Sequence, residues 1–297
     1  MILTRAPLRH ASILVLLSIS PWSALAPAAA AEVRNERTLE RTFAPAGEAI
    51  HRLQVDNVFG SIRVRTHASP TVVMQARERL VAADETWAER ARAEVELVAT
   101  EENGVVDLFV DGPFRGPCDC EGDRSRWRRH QRVRYTVAYD FELLVPGNLE
   151  LELATVNDGD IRVEGVRGEL DLRNVNGGIT VEGALGGGRV VTVNGDVSVR
   201  FAPGPTRAAS FQTVNGDIEV LYATAPDADV YLKTMWGDLR SEFPFVNLAV
   251  TPEVERRDDG RFLIRSEQWS AVRLGTGGPR LSFETLNGDV VLARSSG

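Results

Sequence analysis

A short frame built around a turn glycine recurs along the chain. In "ELDLRNVNGGITV" and "FQTVNGDIEV" an alternating apolar run leads to a small polar residue, a valine, an Asn-Gly pair and a second alternating run. "RLQVDNVFGSIRV" follows the same frame with a phenylalanine in place of the second asparagine. The glycines at the centres of the copies are Gly60, Gly159, Gly177, Gly195, Gly216, Gly237 and Gly288. Between Gly159 and Gly237 the steps are 18, 18, 21 and 21 residues, which indicates stacked supersecondary units.

The runs on both sides of each turn have the period of half-buried β-strands. Leu170 and Leu172 alternate with Asp171, and the residues after the turn continue the alternation. An Asn-Gly pair supplies the positive φ values of a tight turn at little steric cost. We therefore expect structural turns at Asn176, Gly177, Asn194, Gly195, Asn215, Gly216, Asn287 and Gly288.

Two all-β architectures fit this pattern. In a β-solenoid each copy of the frame is one coil of 18–21 residues, and equivalent side chains stack into ladders. In an antiparallel meander or sandwich each Asn-Gly pair is the tip of a hairpin. Near-constant spacing with the same turn residues favours the β-solenoid.

Residues 1–31 have the pattern of a secretory signal peptide. Arg5 and Arg9 precede the apolar run "ASILVLLSIS", and small residues lead to a cleavage site after Ala31. Pro21 interrupts the run before the roughly 18 apolar residues of a membrane span. The mature chain is expected to begin at Glu32, to be periplasmic, cell-surface or secreted, and to have no transmembrane segment.

The mature chain divides near residue 150 by the density of the repeat. Residues 32–150 hold the first copy, an α+β elaboration and a polar loop; in the elaboration a helix follows Asp84 and a hairpin surrounds Asn103-Gly104. Residues 151–297 hold the remaining copies, and "RRDDGRF" within them is a predicted hairpin tip.

The repeated Asn-Gly-Asp frame behind a signal peptide resembles a bacterial domain-of-unknown-function family whose members are named "putative adhesins". The resemblance is most specific over residues 155–237 and 281–292. It implies a β-solenoid-like fold akin to the head domains of autotransporter adhesins. It brings no catalytic residues.

The polar residues of the repeat are candidates for a metal site. The aspartates that follow the turn glycines are Asp160, Asp196, Asp217, Asp238 and Asp289. An aspartate beside a turn glycine ordinarily satisfies local backbone groups. We expect no bound metal or cofactor, and we expect the neighbouring asparagines to form stacked amide ladders.

Two cysteines stand in the polar loop. Cys118 and Cys120 form a C-x-C pair with His130 ten residues beyond, which falls short of the four ligands of a zinc site. A disulfide that staples the loop is the first interpretation. A free or intermolecular thiol and a metal site are the alternatives.

The same loop carries a candidate anion-binding segment. "RSRWRRHQRVR" surrounds Trp127 with arginines, whose forks suit phosphate and carboxylate groups. A solvated loop whose arginines pair with surface acids such as Glu121 and Asp123 is the interpretation that the pattern favours. The central residues of this segment are Arg124, Arg126, Trp127, Arg128 and Arg129.

Two aromatic residues occupy the asparagine position of their turns, Phe59 and Trp236. Such residues can stack on sugars or partners, but we expect them to fold back over the end of the core.

The composition and the motifs favour a binding or structural role. Removal of Arg5 and Arg9 changes the formal charge from −8 to −10, so nucleic acid is not an expected partner. No nucleophile, metalloprotease or phosphate-loop motif occurs. We expect a non-enzymatic module of the cell envelope that contacts polyanions, glycans or another envelope protein. The alternatives are a polysaccharide-active β-helix enzyme, which needs only acids, and an envelope-stress accessory protein.

Overall fold

The structure is a computed structural model. It describes residues 32–45, 47–115, 133–183, 186–201, 204, 206–249, 253–256, 262–265 and 269–295. The predicted signal peptide, both cysteines and Arg124, Arg126, Trp127, Arg128 and Arg129 lie outside the described residues.

The described part of the chain is almost entirely β-structure, which confirms the all-β prediction. Its first strands and its single helix are β1 (Val33–Phe43), β2 (Arg52–Asp56), β3 (Ile62–His67), β4 (Val72–Ala82), α1 (Glu85–Glu94), β5 (Glu96–Glu102), β6 (Val105–Asp111), β7 (Tyr135–Pro146) and β8 (Glu150–Ala154). The strands of the central repeats are β9 (Ile161–Glu164), β10 (Leu170–Arg173), β11 (Ile179–Gly183), β12 (Gly188–Val191), β13 (Val197–Phe201), β14 (Ala209–Gln212) and β15 (Ile218–Tyr222). The last strands are β16 (Ala228–Trp236), β17 (Leu239–Ser241), β18 (Phe245–Leu248), β19 (Glu253–Arg256), β20 (Phe262–Arg265), β21 (Ser270–Leu274), β22 (Arg280–Asn287) and β23 (Val290–Arg294).

The described strands form two large mixed sheets and one small antiparallel pair. The first sheet has the order β1-β4-β7-β3-β9-β11-β13-β15-β23-β17. The second sheet has the order β18-β21-β16-β22-β14-β12-β10-β8-β2-β6-β5. The small pair is β19–β20, which is antiparallel, and the residues of "RRDDGRF" between these strands, 257–261, lie outside the described residues.

The strands on the two sides of each Asn-Gly turn belong to different sheets. β10 pairs in parallel with β8 and β12, whereas β11 pairs in parallel with β9 and β13. The chain therefore passes from one sheet to the other at each turn. The turns centred on Gly177, Gly195 and Gly216 are corners between sheets and are not hairpin tips.

The order of the strands in space departs from their order in the chain at one end. β23 lies between β15 and β17 in the first sheet, and β22 lies between β14 and β16 in the second. The copy centred on Gly288 is thus inserted between the copies centred on Gly216 and Gly237. The spacing along the sequence does not indicate this order, because the copies share one frame.

One apolar core fills the space between the two sheets. It takes alternate residues of each strand, such as Ile179 and Val181 from the first sheet and Leu170 and Leu172 from the second. The largest buried rings include Phe211 and Phe283, which stack with centroids 5.1 Å apart. Burial of this alternating face is the main source of stability.

The N-terminal elaboration agrees with the sequence pattern. The Asp84 carboxylate accepts a hydrogen bond from the Trp87 backbone N–H at 3.0 Å and caps α1, as predicted. β5 and β6 form an antiparallel hairpin in which Asn103 and Gly104 have φ values of 52° and 72°. Within the described residues no helix is long and apolar enough to cross a membrane.

Candidate functional site

The turn glycines form a column along one edge of the molecule. We call it the turn column, and in spatial order it consists of Gly60, Gly159, Gly177, Gly195, Gly216, Gly288 and Gly237. A Cβ atom added to Gly195 would lie 2.3 Å from the Gly177 carbonyl oxygen, and one added to Gly237 would lie 1.9 Å from the Gly288 carbonyl oxygen. Real Cβ atoms do not approach backbone this closely, so each of these positions requires glycine.

Close stacking, and not backbone conformation, explains the glycine at several of these turns. Gly159, Gly177, Gly195 and Gly237 are not among the glycines with positive φ. The expectation that an Asn-Gly pair supplies positive φ is therefore wrong at Gly177 and Gly195, and the glycines that follow Asp158 and Trp236 do not have positive φ either. Only a residue without a side chain lets the carbonyl of the neighbouring layer come so near.

The asparagines beside the turn column form a chain of amide hydrogen bonds. Each of Asn176, Asn194, Asn215 and Asn287 donates from Nδ2 to the Oδ1 of the asparagine in the preceding layer, and Asn157 is the first acceptor. The donor–acceptor distances are 2.8 to 2.9 Å. We call this set the asparagine row.

A second polar row lies on the inner side of the turns. The residue three or four positions before each turn glycine is buried, except for the half-buried Thr234. Its side chain donates to the carbonyl of a glycine in the neighbouring layer, except at Asn57, which donates to Gly60 O of its own turn and to Tyr139 O. Thr192 Oγ1 donates to Gly177 O at 2.8 Å, and Thr213 Oγ1 donates to Gly195 O at 2.9 Å. The members of this inner polar row are Asn57, Thr155, Asn174, Thr192, Thr213, Thr285 and Thr234. The frame shows a small polar residue at this position, but the sequence alone did not indicate its role.

The aspartates after the turn glycines connect the layers. Asp196 Oδ1 accepts from the Asp217 backbone N–H at 2.9 Å, and Asp217 Oδ1 accepts from the Asp289 N–H at 2.8 Å. We call the set Asp160, Asp196, Asp217, Asp289 and Asp238 the acidic row. Gly178 replaces the carboxylate in one layer. Over the described residues no group of three or more metal-binding side chains converges.

A half-buried or exposed aliphatic side chain precedes the asparagine, or the aromatic residue that replaces it, in each layer. These residues form the apolar row, which in spatial order is Val58, Val156, Val175, Val193, Val214, Leu286 and Met235. Exposure rises toward one end, from 37% at Val214 to 67% at Met235. Trp236 stands next in the chain and is 71% exposed, so it does not fold back over the core. Phe59 instead packs edge-on against Phe114, with ring centroids 6.0 Å apart.

A polar groove of about 990 Å³ lies on the outer face of the first sheet, over strands β1, β3, β4, β7 and β9. Three of the four arginines that line it are paired with acids, as in Arg63–Glu142 at 3.7 Å and Arg162–Glu182 at 2.7 Å, whereas Arg41 donates to the Ala99 carbonyl. Asp158 also lines the groove and has a φ of 59°, which is uncommon for a residue with a side chain.

One carboxylate of the groove is held in its charged form. Burial alone would raise the pKa of Asp140, but hydrogen bonds from the Ser61 N–H and hydroxyl and the nearby Arg79 lower this pKa below its ordinary value. A carboxylate that stays ionised is unsuited to donate a proton as a general acid.

Comparison with known proteins gives one family match. Residues 148–259, fewer than half of the chain, match the model of the Toastrack family DUF4097, whose function is unknown. This match supports the expected resemblance to a family of unknown function. No curated protein matches the chain.

Two solved structures are similar over most of the chain at low sequence identity. One is a "putative cell adhesion protein" from Clostridium sporogenes ATCC 15579, with 10% identity and a TM-score of 0.38, covering 88% of this chain and 100% of that one. The other is a "putative lipid binding protein" from Parabacteroides distasonis ATCC 8503, with 11% identity and a TM-score of 0.33, covering 88% of this chain and 97% of that one. The family match is confined to residues 148–259, which include the turns centred on Gly159, Gly177, Gly195, Gly216 and Gly237.

Proposed function

We propose that this chain is an exported, non-enzymatic β-solenoid module of the bacterial cell envelope with a binding or structural role of the adhesin type. The parallel register supports coils of 18 to 21 residues, because Ile161, Ile179, Val197 and Ile218 occupy equivalent positions in adjacent strands. The pattern of residues 1–31 supports export.

The observation that carries the proposal is that the repeated polar residues form hydrogen bonds between the layers of the fold. The amides of the asparagine row bond to one another, and each carboxylate of the acidic row that faces a further layer accepts a backbone N–H from that layer. Residues that look like a catalytic or metal-binding series therefore serve to build a long, regular surface. Such a surface suits the binding of an extended partner.

A polysaccharide-active enzyme is the second candidate, and the groove on the first sheet favours it. Asp140, Glu142 and Asp158 bring carboxylates to one polar groove. Against it stands the lowered pKa of Asp140, which removes one candidate for the general acid of glycoside hydrolysis.

The test compares retention with cleavage. Mature protein beginning at Glu32 is incubated with isolated envelope fragments and with a panel of polysaccharides, and both retention by centrifugation and release of reducing ends are measured. We expect retention without release of reducing ends. Release that disappears in an Asp158→Asn, Glu142→Gln double variant would replace the binding role with the enzymatic one.

Export is tested separately. N-terminal sequencing of the protein from fractionated cells should find Glu32 in the periplasmic, surface or secreted fraction. Cytoplasmic protein with Met1 intact would contradict the proposed location.

A further inference from the structure

The apolar row is a feature that the core does not explain. At every turn but that of Gly237 the side chain buried under the corner belongs to the inner polar row, while the aliphatic side chain that follows it is half-buried or exposed. Val214, Leu286 and Met235 are consecutive in space and all exposed. Seven layers at a strand spacing of about 4.8 Å give a strip roughly 29 Å long. A continuous apolar strip of this kind on a surface marks an interaction site.

The acidic row runs alongside the apolar row and carries more charge than the fold needs. Asp196 and Asp217 each accept one backbone N–H, which an asparagine Oδ1 would accept equally well. Like charges at the spacing of adjacent strands repel one another. Of the five carboxylates, Asp289 and Asp238 have Arg240 within 3.5 Å, and in the part of the chain that the structure describes the other three form no ion pair. The retained negative charge is complementary to a cationic partner.

The dimensions of the strip indicate the form of that partner. It presents one aliphatic side chain per layer and is linear, so it fits a partner that is itself extended. About nine residues of extended chain, at about 3.3 Å each, span its length. Trp236 at the exposed end offers a ring face to a lysine or arginine.

We propose that the turn edge, made of the apolar row, the acidic row and Trp236, binds an extended, amphipathic, cationic polypeptide segment of a partner protein. Apolar side chains of that segment lie along Val214, Leu286 and Met235, and its lysines or arginines face the acidic row. This inference rests on the proposed binding role and names the partner class for it.

The test uses a labelled peptide of about ten alternating lysine and valine residues and the full mature protein, with binding measured by fluorescence anisotropy. We expect saturable binding that weakens as salt is raised, because exposed charges are screened. An Asp196→Asn, Asp217→Asn double variant removes charge and keeps the acceptors for the backbone N–H groups. It should weaken binding by about tenfold or more, which corresponds to roughly 1.4 kcal/mol, with an unchanged melting temperature.

The contribution of the apolar row to peptide binding is tested with a second double variant. Val214→Ser with Leu286→Ser should weaken binding of the lysine–valine peptide to a similar degree. The matched controls are Glu219→Gln, an exposed carboxylate, and Leu144→Ser, an aliphatic residue that is 41% exposed, and both lie on the outer face of the first sheet. Both controls should leave the affinity unchanged.

Three results with the peptides would overturn the inference, and a fourth concerns a different ligand. The first three are the absence of saturable binding, equal binding of a glutamate–valine peptide, and equal losses in the control variants. Binding of a neutral glycan that the Val214 and Leu286 variants abolish, in place of the peptide, would assign the edge to a different partner and would also overturn it. If the peptide fails to bind but envelope fragments still retain the mature protein, only this inference fails; loss of both removes the proposed function as well.

Discussion

Replacement of Gly195 by alanine tests the close stacking of the turn column. The added Cβ would lie 2.3 Å from the Gly177 carbonyl oxygen, whereas ordinary contact begins at 3.4 Å, so the two layers must separate locally by about 1 Å. Hydrogen bonds that cross this gap, including Gly177 N–H to Asn194 O at 3.0 Å and Thr192 Oγ1 to Gly177 O at 2.8 Å, would be lost. With the Asn194–Asn176 amide bond, three bonds of about 1 kcal/mol each are at risk. Alanine also lowers the conformational entropy of the unfolded chain, which offsets up to about 1 kcal/mol of this destabilisation. We therefore expect the free energy of unfolding to fall by about 2 to 3 kcal/mol.

The measurement is equilibrium urea unfolding of the mature protein followed by circular dichroism. Gly47→Ala is the matched control, because nothing lies within 4 Å of a Cβ added there. The control should change the free energy of unfolding by no more than about 0.5 kcal/mol. If Gly195→Ala costs no more than Gly47→Ala, the argument from close approach is refuted.

Four further outcomes are expected. Thr213→Val should cost about 1 to 2 kcal/mol in urea unfolding, because the buried Gly195 carbonyl loses its donor, and Thr213→Ser should restore most of that loss. Tyr222→Phe should raise stability by about 1 kcal/mol, since in the described structure the buried Tyr222 hydroxyl has no hydrogen-bond partner; a loss would show that it has one. Asp140→Asn should lower stability by about 1 kcal/mol at pH 7. The lowered pKa of Asp140 stabilises the fold above the ordinary pKa of about 3.9 and stops doing so as pH falls through the folded value, so this difference should vanish in acid titration. EDTA should leave the melting temperature unchanged, and a drop that Ca²⁺ reverses would show that the acidic row holds metal.

Local features of the fold were predictable because their causes lie within a few residues. Asp84 before a polar helix and Asn103-Gly104 between two alternating runs act over one turn of chain, and both predictions are confirmed. The alternation around Leu170 and Leu172 likewise specifies which face is buried.

Features that depend on the spatial order of the repeat copies were not predictable from the sequence. The frames around Gly237 and Gly288 are alike, so no local sequence signal indicates which of these two copies stacks next to the Gly216 copy. The exposure of Trp236 follows from that order, because Trp236 ends β16 of the second sheet, where β22 pairs with it on one side and β21 pairs only with Ala228–Leu232 on the other. Burial of Thr213 against a glycine carbonyl also depends on a neighbour 18 residues away.

The inserted position of the Gly288 copy has a consequence for the order in which the molecule assembles. β15 pairs with β23. Ile218 of β15 lies opposite Val290 of β23, which comes 72 residues later in the chain. A chain that emerges from its N-terminus first can complete the layers up to Gly216 one after another, each on its predecessor. The segment of β16 and β17 then reaches its native position only after the final residues arrive, because β22 and β23 lie between it and the Gly216 layer. Closure of this end is a late, long-range step with a large loop entropy, and until it happens β14 and β15 are open edges that another chain can join.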